Sequence, residues 1–127
     1  MKVLITGSRE ASPDMLAKVR EVVAWCTRDG YEILVGDAPG IDAKVREEAF
    51  IQGVPFTVCG AYGRYRPGLF GQRGGCDWPD YLARDRHMAQ RCDLCIAIWN
   101  GRSRGTRATA AYATSLRKQV IWRVFPA

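Results

Sequence analysis

Three glycine-containing turns hold most of the side chains in this sequence that could do chemistry. They are Gly7-Ser8-Arg9, the run Gly36-Asp37-Ala38-Pro39-Gly40-Ile41-Asp42, and Asn100-Gly101-Arg102-Ser103-Arg104-Gly105-Thr106. Glycine lets a backbone approach a phosphate closely, and a helix that follows offers unpaired N–H groups with partial positive charge. The first and third turns add a hydroxyl and a guanidinium, so the chemistry they suit is anion binding. Glycines that only make tight strand-to-helix turns are the plainer alternative. The spacing is neither the GxGxxG dinucleotide fingerprint nor the Gly-Lys-Ser/Thr phosphate loop. That argues against an ordinary NAD-dependent dehydrogenase and a P-loop ATPase.

Carboxylates stand close by. Asp37 and Asp42 flank the second turn and Glu10 follows the first. Asp42 reads as a helix cap or as a catalytic group, and Asp37 suits a ribose hydroxyl. Asp85 lies between Arg84 and Arg86 and is expected to pair with an arginine, while Glu10 reads as solvated.

These turns need a scaffold, and hydrophobic periodicity supplies one. Short apolar runs at Lys2–Thr6, Glu32–Val35, Val54–Cys59, Asp93–Trp99 and Gln119–Phe125 read as strands. Between them, Ser12-Pro13 opens a helix whose apolar positions recur from Met15 to Cys26 and which Gly30 stops. Further helices are expected from about 42 to 52, 80 to 91, and 106 to 116. Strands alternating with helices, most of them apolar on both faces, imply an α/β fold. The expected architecture is a Rossmann-like, doubly wound parallel sheet of about five strands with helices on both faces, as one domain over residues 1–127. Ligands of such sheets bind beyond the carboxyl ends of the strands, where all three turns fall.

Residues 61–79 show no periodicity and read as a variable loop. There Tyr62, Tyr65, Phe70 and Trp78, with Tyr81 just beyond, interleave with Arg64, Arg66 and Arg73, a composition that suits a ligand lid or a self-association surface equally. The formal charge of +6 is regional: residues 1–60 carry 7 basic and 9 acidic side chains, residues 61–127 carry 12 and 4. The five cysteines are expected to be free thiols, with Cys92-x-x-Cys95 packed in a core rather than binding metal. No apolar run is long enough to span a membrane and no signal-peptide pattern opens the sequence, so a cytoplasmic location is expected.

Together, TGSR, VGDAPGID, RDRHM and CDLCIAIWNGRSRGT, in this order, resemble the SLOG superfamily. The chain is most similar to its short YspA-like, cpYpsA-related members, over nearly its whole length except residues 61–79. The resemblance implies a Rossmann-like fold that binds nucleotides or nucleotide-derived ligands, and a homodimer. Its relatives include the LONELY GUY phosphoribohydrolases and the Smf DNA-processing proteins. Arg84 and Met88 match a phosphoribohydrolase pair, and Gly105-Thr106 match the start of that family's GT-x-x-E turn. The glutamate of that turn falls on Thr109 here. A threonine cannot stabilise a cationic sugar or activate water.

The resulting expectation is a module that senses or sequesters a small nucleotide-derived anion, such as a nucleoside phosphate or an ADP-ribose derivative. Gly7, Ser8, Arg9, Gly105 and Thr106 would hold phosphate, with Asn100 and Gly101 in the same turn. Gly36, Asp37, Gly40 and Asp42 would face ribose or a second phosphate, Arg84 and Arg104 would add charge, and Met88 is a further ligand-binding candidate. An N-glycosidic hydrolase using Asp37, Asp42 and Arg84 is the enzyme alternative. Binding of single-stranded DNA ranks third. No metal and no cofactor is expected.

Overall fold

The computed structural model describes residues 1–61 and 80–126 together with the backbone of residues 72–78. The first strand, β1 (Lys2–Gly7), is followed by helix α1 (Pro13–Asp29), β2 (Glu32–Gly36) and α2 (Ile41–Gln52). Next come β3 (Phe56–Ala61), β4 (Gln72–Trp78), α3 (Tyr81–Arg91), β5 (Leu94–Trp99), α4 (Arg104–Ser115) and β6 (Gln119–Val124). The strands form a sheet in the order β4-β3-β2-β1-β5-β6, and every pairing is parallel. The chain winds outward from β1 to β4, then crosses back through α3 to β5 on the other side of β1. The winding therefore reverses between β1 and β5.

Side chains alternate across the sheet, so each central strand feeds two cores. Val3, Ile5, Ile33, Val35, Ile96 and Ile98 point to the α1/α2 side, where Met15, Val19, Val23 and Cys26 of α1 and Val45 and Ala49 of α2 meet them. Leu4, Leu34, Cys59 and Cys95 point the other way, onto Met88 and Ala89 of α3 and Ala113 of α4. Burying each large aliphatic side chain fully is worth about 1.5–3 kcal/mol. This two-sided layering is the doubly wound α/β architecture expected from the periodicity.

Helix boundaries follow the capping signals. The Ser12 hydroxyl accepts from the Met15 N–H at 3.3 Å, Pro13 occupies the first turn, and Gly30 ends α1 in the left-handed region at φ 72°. Asp80 caps α3 by accepting from the Ala83 N–H at 2.7 Å. Two expectations fail. Residues 72–78, read as loop, form an edge strand beside β3, with a register break between Val58 and Gly60. Asp42 does not cap α2, whose first residue is preceded by Gly40 with no side-chain cap.

Cys26, Cys59, Cys92 and Cys95 are buried. Burial pushes the Cys26 thiol up to about 11 and the Cys95 thiol up to about 12, so both stay protonated and inert. Cys76 and the aromatic and arginine side chains of the 61–79 segment lie outside the described residues. No helix among the described residues is long and apolar enough to cross a membrane.

Candidate functional site

A cavity of about 490 Å³ opens where the winding reverses, beyond the carboxyl ends of β1, β2 and β5. Its floor is Thr6, Gly7 and Ala38, and one wall is Tyr81, Arg84, Asp85 and Met88 of α3. The opposite wall is Asn100, Arg102, Ser103, Gly105 and Thr106, with Arg9, Glu10 and Asp42 completing the lining. Of the candidate residues singled out in the sequence, Gly7, Arg9, Asp42, Arg84, Met88, Asn100, Gly105 and Thr106 line this one space. Ser8, Gly36, Asp37, Gly40, Gly101 and Arg104 do not line it.

The turns are locked to each other by hydrogen bonds through Ser8. The Ser8 carbonyl accepts from the Ile41 N–H at 3.0 Å, and the Ser8 hydroxyl accepts from the Asn100 N–H at 3.0 Å. Ser8 is fully buried, so its expected phosphate contact gives way to joining the first turn to the other two. Gly40 sits at φ 77°, and a Cβ there would strike the backbone of Ser8 and Arg9. Glycine at this position is what permits the close approach of the two chain segments.

The third turn is organised by its own polar groups. The Asn100 Oδ1 accepts from the Arg102 N–H at 2.8 Å and the Ser103 N–H at 3.0 Å. The Ser103 hydroxyl caps α4, accepting from the Thr106 N–H at 3.4 Å. Among the described residues the Arg104 and Gly105 N–H groups have no acceptor, so they remain available at the positive end of α4. Trp99 is not free to stack on a ligand from this turn. Its Nε1–H donates to the Ser103 carbonyl at 2.9 Å, and its ring packs on Trp122 at 5.4 Å.

Behind the cavity lies a buried charge cluster centred on Arg84. Its Nη1–H donates to Asp37 Oδ1 at 2.8 Å and to the Cys59 carbonyl at 3.3 Å, while its Nε–H donates to Asp85 Oδ1 at 2.7 Å. Asp42 joins the cluster, its Oδ2 accepting from the Ala38 N–H at 3.3 Å. A Cβ on Gly36 would lie 2.6 Å from that oxygen and 2.8 Å from Arg84 Nη1, so glycine is what lets the groups close up. Arg46 sits beside them, donating to the Gly36 carbonyl at 2.9 Å and the Ala38 carbonyl at 3.0 Å.

The electrostatics follow from burial. Desolvation pushes the Asp42 carboxyl up to about 6 against the pull of Arg84 and Arg46, with Asp85 adding to the rise. Burial also raises Asp85, outweighing Arg84, the Thr109 hydroxyl and Arg9. For Arg84, burial acts downward, but Asp85, Asp42 and Asp37 outweigh it and hold the guanidinium charged. Arg84 is thus balanced by aspartates rather than free to supply charge to a phosphate. The exposed cations on the lining are Arg9 and Arg102, the latter from the third turn. Two guanidiniums lie over the Tyr81 ring, Arg9 at 5.2 Å and Arg84 at 5.1 Å.

Asp85 is the site group whose importance the sequence understates. It does pair with Arg84, as expected, yet it also lines the cavity and faces Thr109. The signal is spatial: α3 and α4 pack side by side, which sequence spacing cannot show.

An α/β sheet with a ligand-sized cavity at its switch point defines a Rossmann-like binding fold. No family model and no curated protein matches the chain. Solved structures do. DNA processing protein A from Helicobacter pylori, described for its single-stranded DNA binding mode, superposes with a TM-score of 0.74 at 18% identity, over 96% of this chain and 64% of that one. The molybdenum cofactor binding protein from Rippkaea orientalis gives 0.77 at 18% identity, over 97% and 76%. DNA processing protein A from Streptococcus pneumoniae gives 0.76 at 22% identity, over 95% and 49%. The chain therefore spans less than two thirds of either DNA processing protein. These likenesses show the fold, the Rossmann-like architecture expected from the alternation of strands and helices.

Proposed function

We propose that the cavity binds a small nucleotide-derived anion, such as a nucleoside phosphate or an ADP-ribose derivative, and that the protein senses or sequesters it. One arrangement carries this reading. Within a single 490 Å³ space, the open Gly105 N–H at the start of α4 stands with Arg102 on one wall and Tyr81 and Met88 of α3 on the other, with Arg9 over the Tyr81 ring and the Asp42 carboxyl completing the lining. Phosphate suits the first side; a base or sugar suits the second. The fold neighbour that binds the molybdenum cofactor supports a compact occupant.

Isothermal titration against AMP, ADP, ADP-ribose and GTP tests this reading, paired with native mass spectrometry of protein purified from cells. Saturable binding of at least one is expected, and the same spectra give the subunit count. The double change Arg9→Ala/Arg102→Ala is expected to weaken that ligand about 10- to 100-fold, from charged hydrogen bonds of roughly 1.5–3 kcal/mol. Absence of binding across the panel overturns the reading.

One observation favours a second reading, N-glycosidic hydrolysis. Asp85 faces Thr109, the position where the phosphoribohydrolase glutamate falls, so a carboxylate is present from a different helix. In this reading Asp85 in its ionised form takes a proton from water as its oxygen bonds to the anomeric carbon. The carbon–nitrogen bond breaks, and protonated Asp42 gives its proton to the departing base. Free base released from AMP and lost in Asp85→Asn is the expected result. No release during long incubation at high protein concentration retires the reading.

A further inference from the structure

The two helical layers differ sharply in how they use charge. On the α1/α2 side, cations are matched: Lys18 with Glu21 at 2.7 Å, Arg20 with Glu48 at 3.2 Å, Lys44 with Glu48 at 3.2 Å, and Arg28 with Asp29 at 3.4 Å. The α3/α4 side is built the opposite way. Arg86, Arg91, Arg102, Arg104, Arg107 and Arg117 are exposed, and none has an acidic partner among the described residues. From Leu94 to Ala127 the sequence contains no Asp or Glu. The two exposed acids nearest this face are already used, Asp80 as the cap of α3 and Asp93 accepting from the Lys2 N–H at 2.7 Å.

The face is also continuous. Tyr112 of α4 bridges to α3, with the Arg86 guanidinium 5.3 Å over its ring and the Gln90 amide donating to its hydroxyl at 3.0 Å. Lys118 reaches the Gln90 carbonyl at 3.3 Å and closes the far end. Arg102 lies at the near end, on the cavity rim.

We propose that the outer face of α3 and α4 binds the sugar-phosphate backbone of a single-stranded nucleic acid. Six unmatched like charges repel one another, and a polyanion relieves that repulsion. Arginine forms paired hydrogen bonds to phosphate oxygens, and this face carries arginine almost alone. It offers little to a lipid surface, because Leu82 on α3 and Leu116 just beyond α4 are its large exposed apolar side chains. Duplex DNA is a poorer fit. Both helices lie flat, burying Met88 and Ala89 or Ala110 and Ala113 against the sheet, so neither projects as an element that could enter a major groove. Of its six arginines only Arg102 also lines the proposed small-ligand cavity, so this surface stands whether or not that reading holds.

Fluorescence anisotropy with labelled oligo-dT and oligo-rU tests it, against a duplex of equal length and vesicles containing phosphatidylserine. If about four phosphates are neutralised, single-strand affinity falls about 50-fold between 50 and 200 mM salt, from a slope of about −0.7 per phosphate. Arg86→Ser/Arg107→Ser removes two contacts. It is expected to reduce the log–log slope by about 1.4 and the affinity by roughly 10-fold. Neither residue lines the cavity, so mononucleotide titrations of that variant are expected to match the unchanged protein. Oligonucleotide binding that is absent, salt-insensitive or unaltered in the double variant overturns the proposal. Equal affinity for duplex, or preferential binding to the vesicles, overturns it as well. Retained mononucleotide binding beside lost strand binding would leave the cavity reading intact.

Discussion

Replacing Arg84 with alanine is expected to cost about 3–5 kcal/mol of folding stability, because it leaves buried carboxyls without the cation they share. Asp37 and Arg84 are 2% and 5% exposed as side chains, and Asp42 is 6% exposed as a residue. In the folded protein Arg84 bonds Asp37 and Asp85 and lies beside Asp42. Without it, Asp42 and Asp85, both already raised by burial, relieve their repulsion by taking up protons. The stability deficit of Arg84→Ala is therefore expected to be largest near pH 7.5 and to shrink as pH falls toward 5. Arg84→Lys keeps the charge but cannot bond two aspartates through a planar fork, so it is expected to recover only part of the loss. Urea denaturation of the three proteins at both pH values checks this. A deficit under about 1 kcal/mol at pH 7.5, or one independent of pH, would show that the aspartates do not depend on this guanidinium.

How far the sequence disclosed this arrangement depends on the range of the forces involved. β1, β2 and β5 carry their signal in consecutive apolar residues, and α1 carries its own in Ser12, Pro13 and Gly30, so local patterns place them within a residue or two. The strand at Gln72–Trp78 carries no such signal. QRGGCDW has two glycines and no alternation, and its extended form comes with pairing to β3 across a register break. The glycine turns were legible because their function is a backbone one. Asp42 was legible as important but not in its role: it turns back onto Ala38 instead of capping α2, and what it does depends on Arg84, 42 positions later. Regional charge was visible as a surplus after residue 60. Its division between a balanced cluster in the cavity and unmatched arginines on α3 and α4 required the packing of helices remote in sequence.

Asp42→Asn is expected to make the protein more stable at neutral pH while impairing the cavity. The Asp42 carboxyl has an ordinary value of 3.8, and burial raises it to about 6 in the fold. A raised carboxyl binds its proton more tightly when folded, so stability is highest below the unfolded value and declines as pH rises through the folded one. The full cost above pH 6 is about 3 kcal/mol, because each pH unit separating the folded and unfolded values corresponds to about 1.36 kcal/mol. Asparagine is nearly the same shape, can accept from the Ala38 N–H, and carries no charge to desolvate. Its stability gain is expected to be about 1–3 kcal/mol at pH 7.5 and to vanish near pH 4. Asp85, also raised by burial, keeps some of the same slope in the variant, so the dependence flattens without disappearing. Thermal melts from pH 4 to 8 measure the gain, and nucleotide titration of the same protein measures what it costs. A variant less stable than the unchanged chain at pH 7.5 would mean that the ionised carboxylate is favoured by its surroundings. A variant more stable, yet deficient in ligand binding or turnover, would mean that an unfavourable buried charge is retained because the cavity needs it.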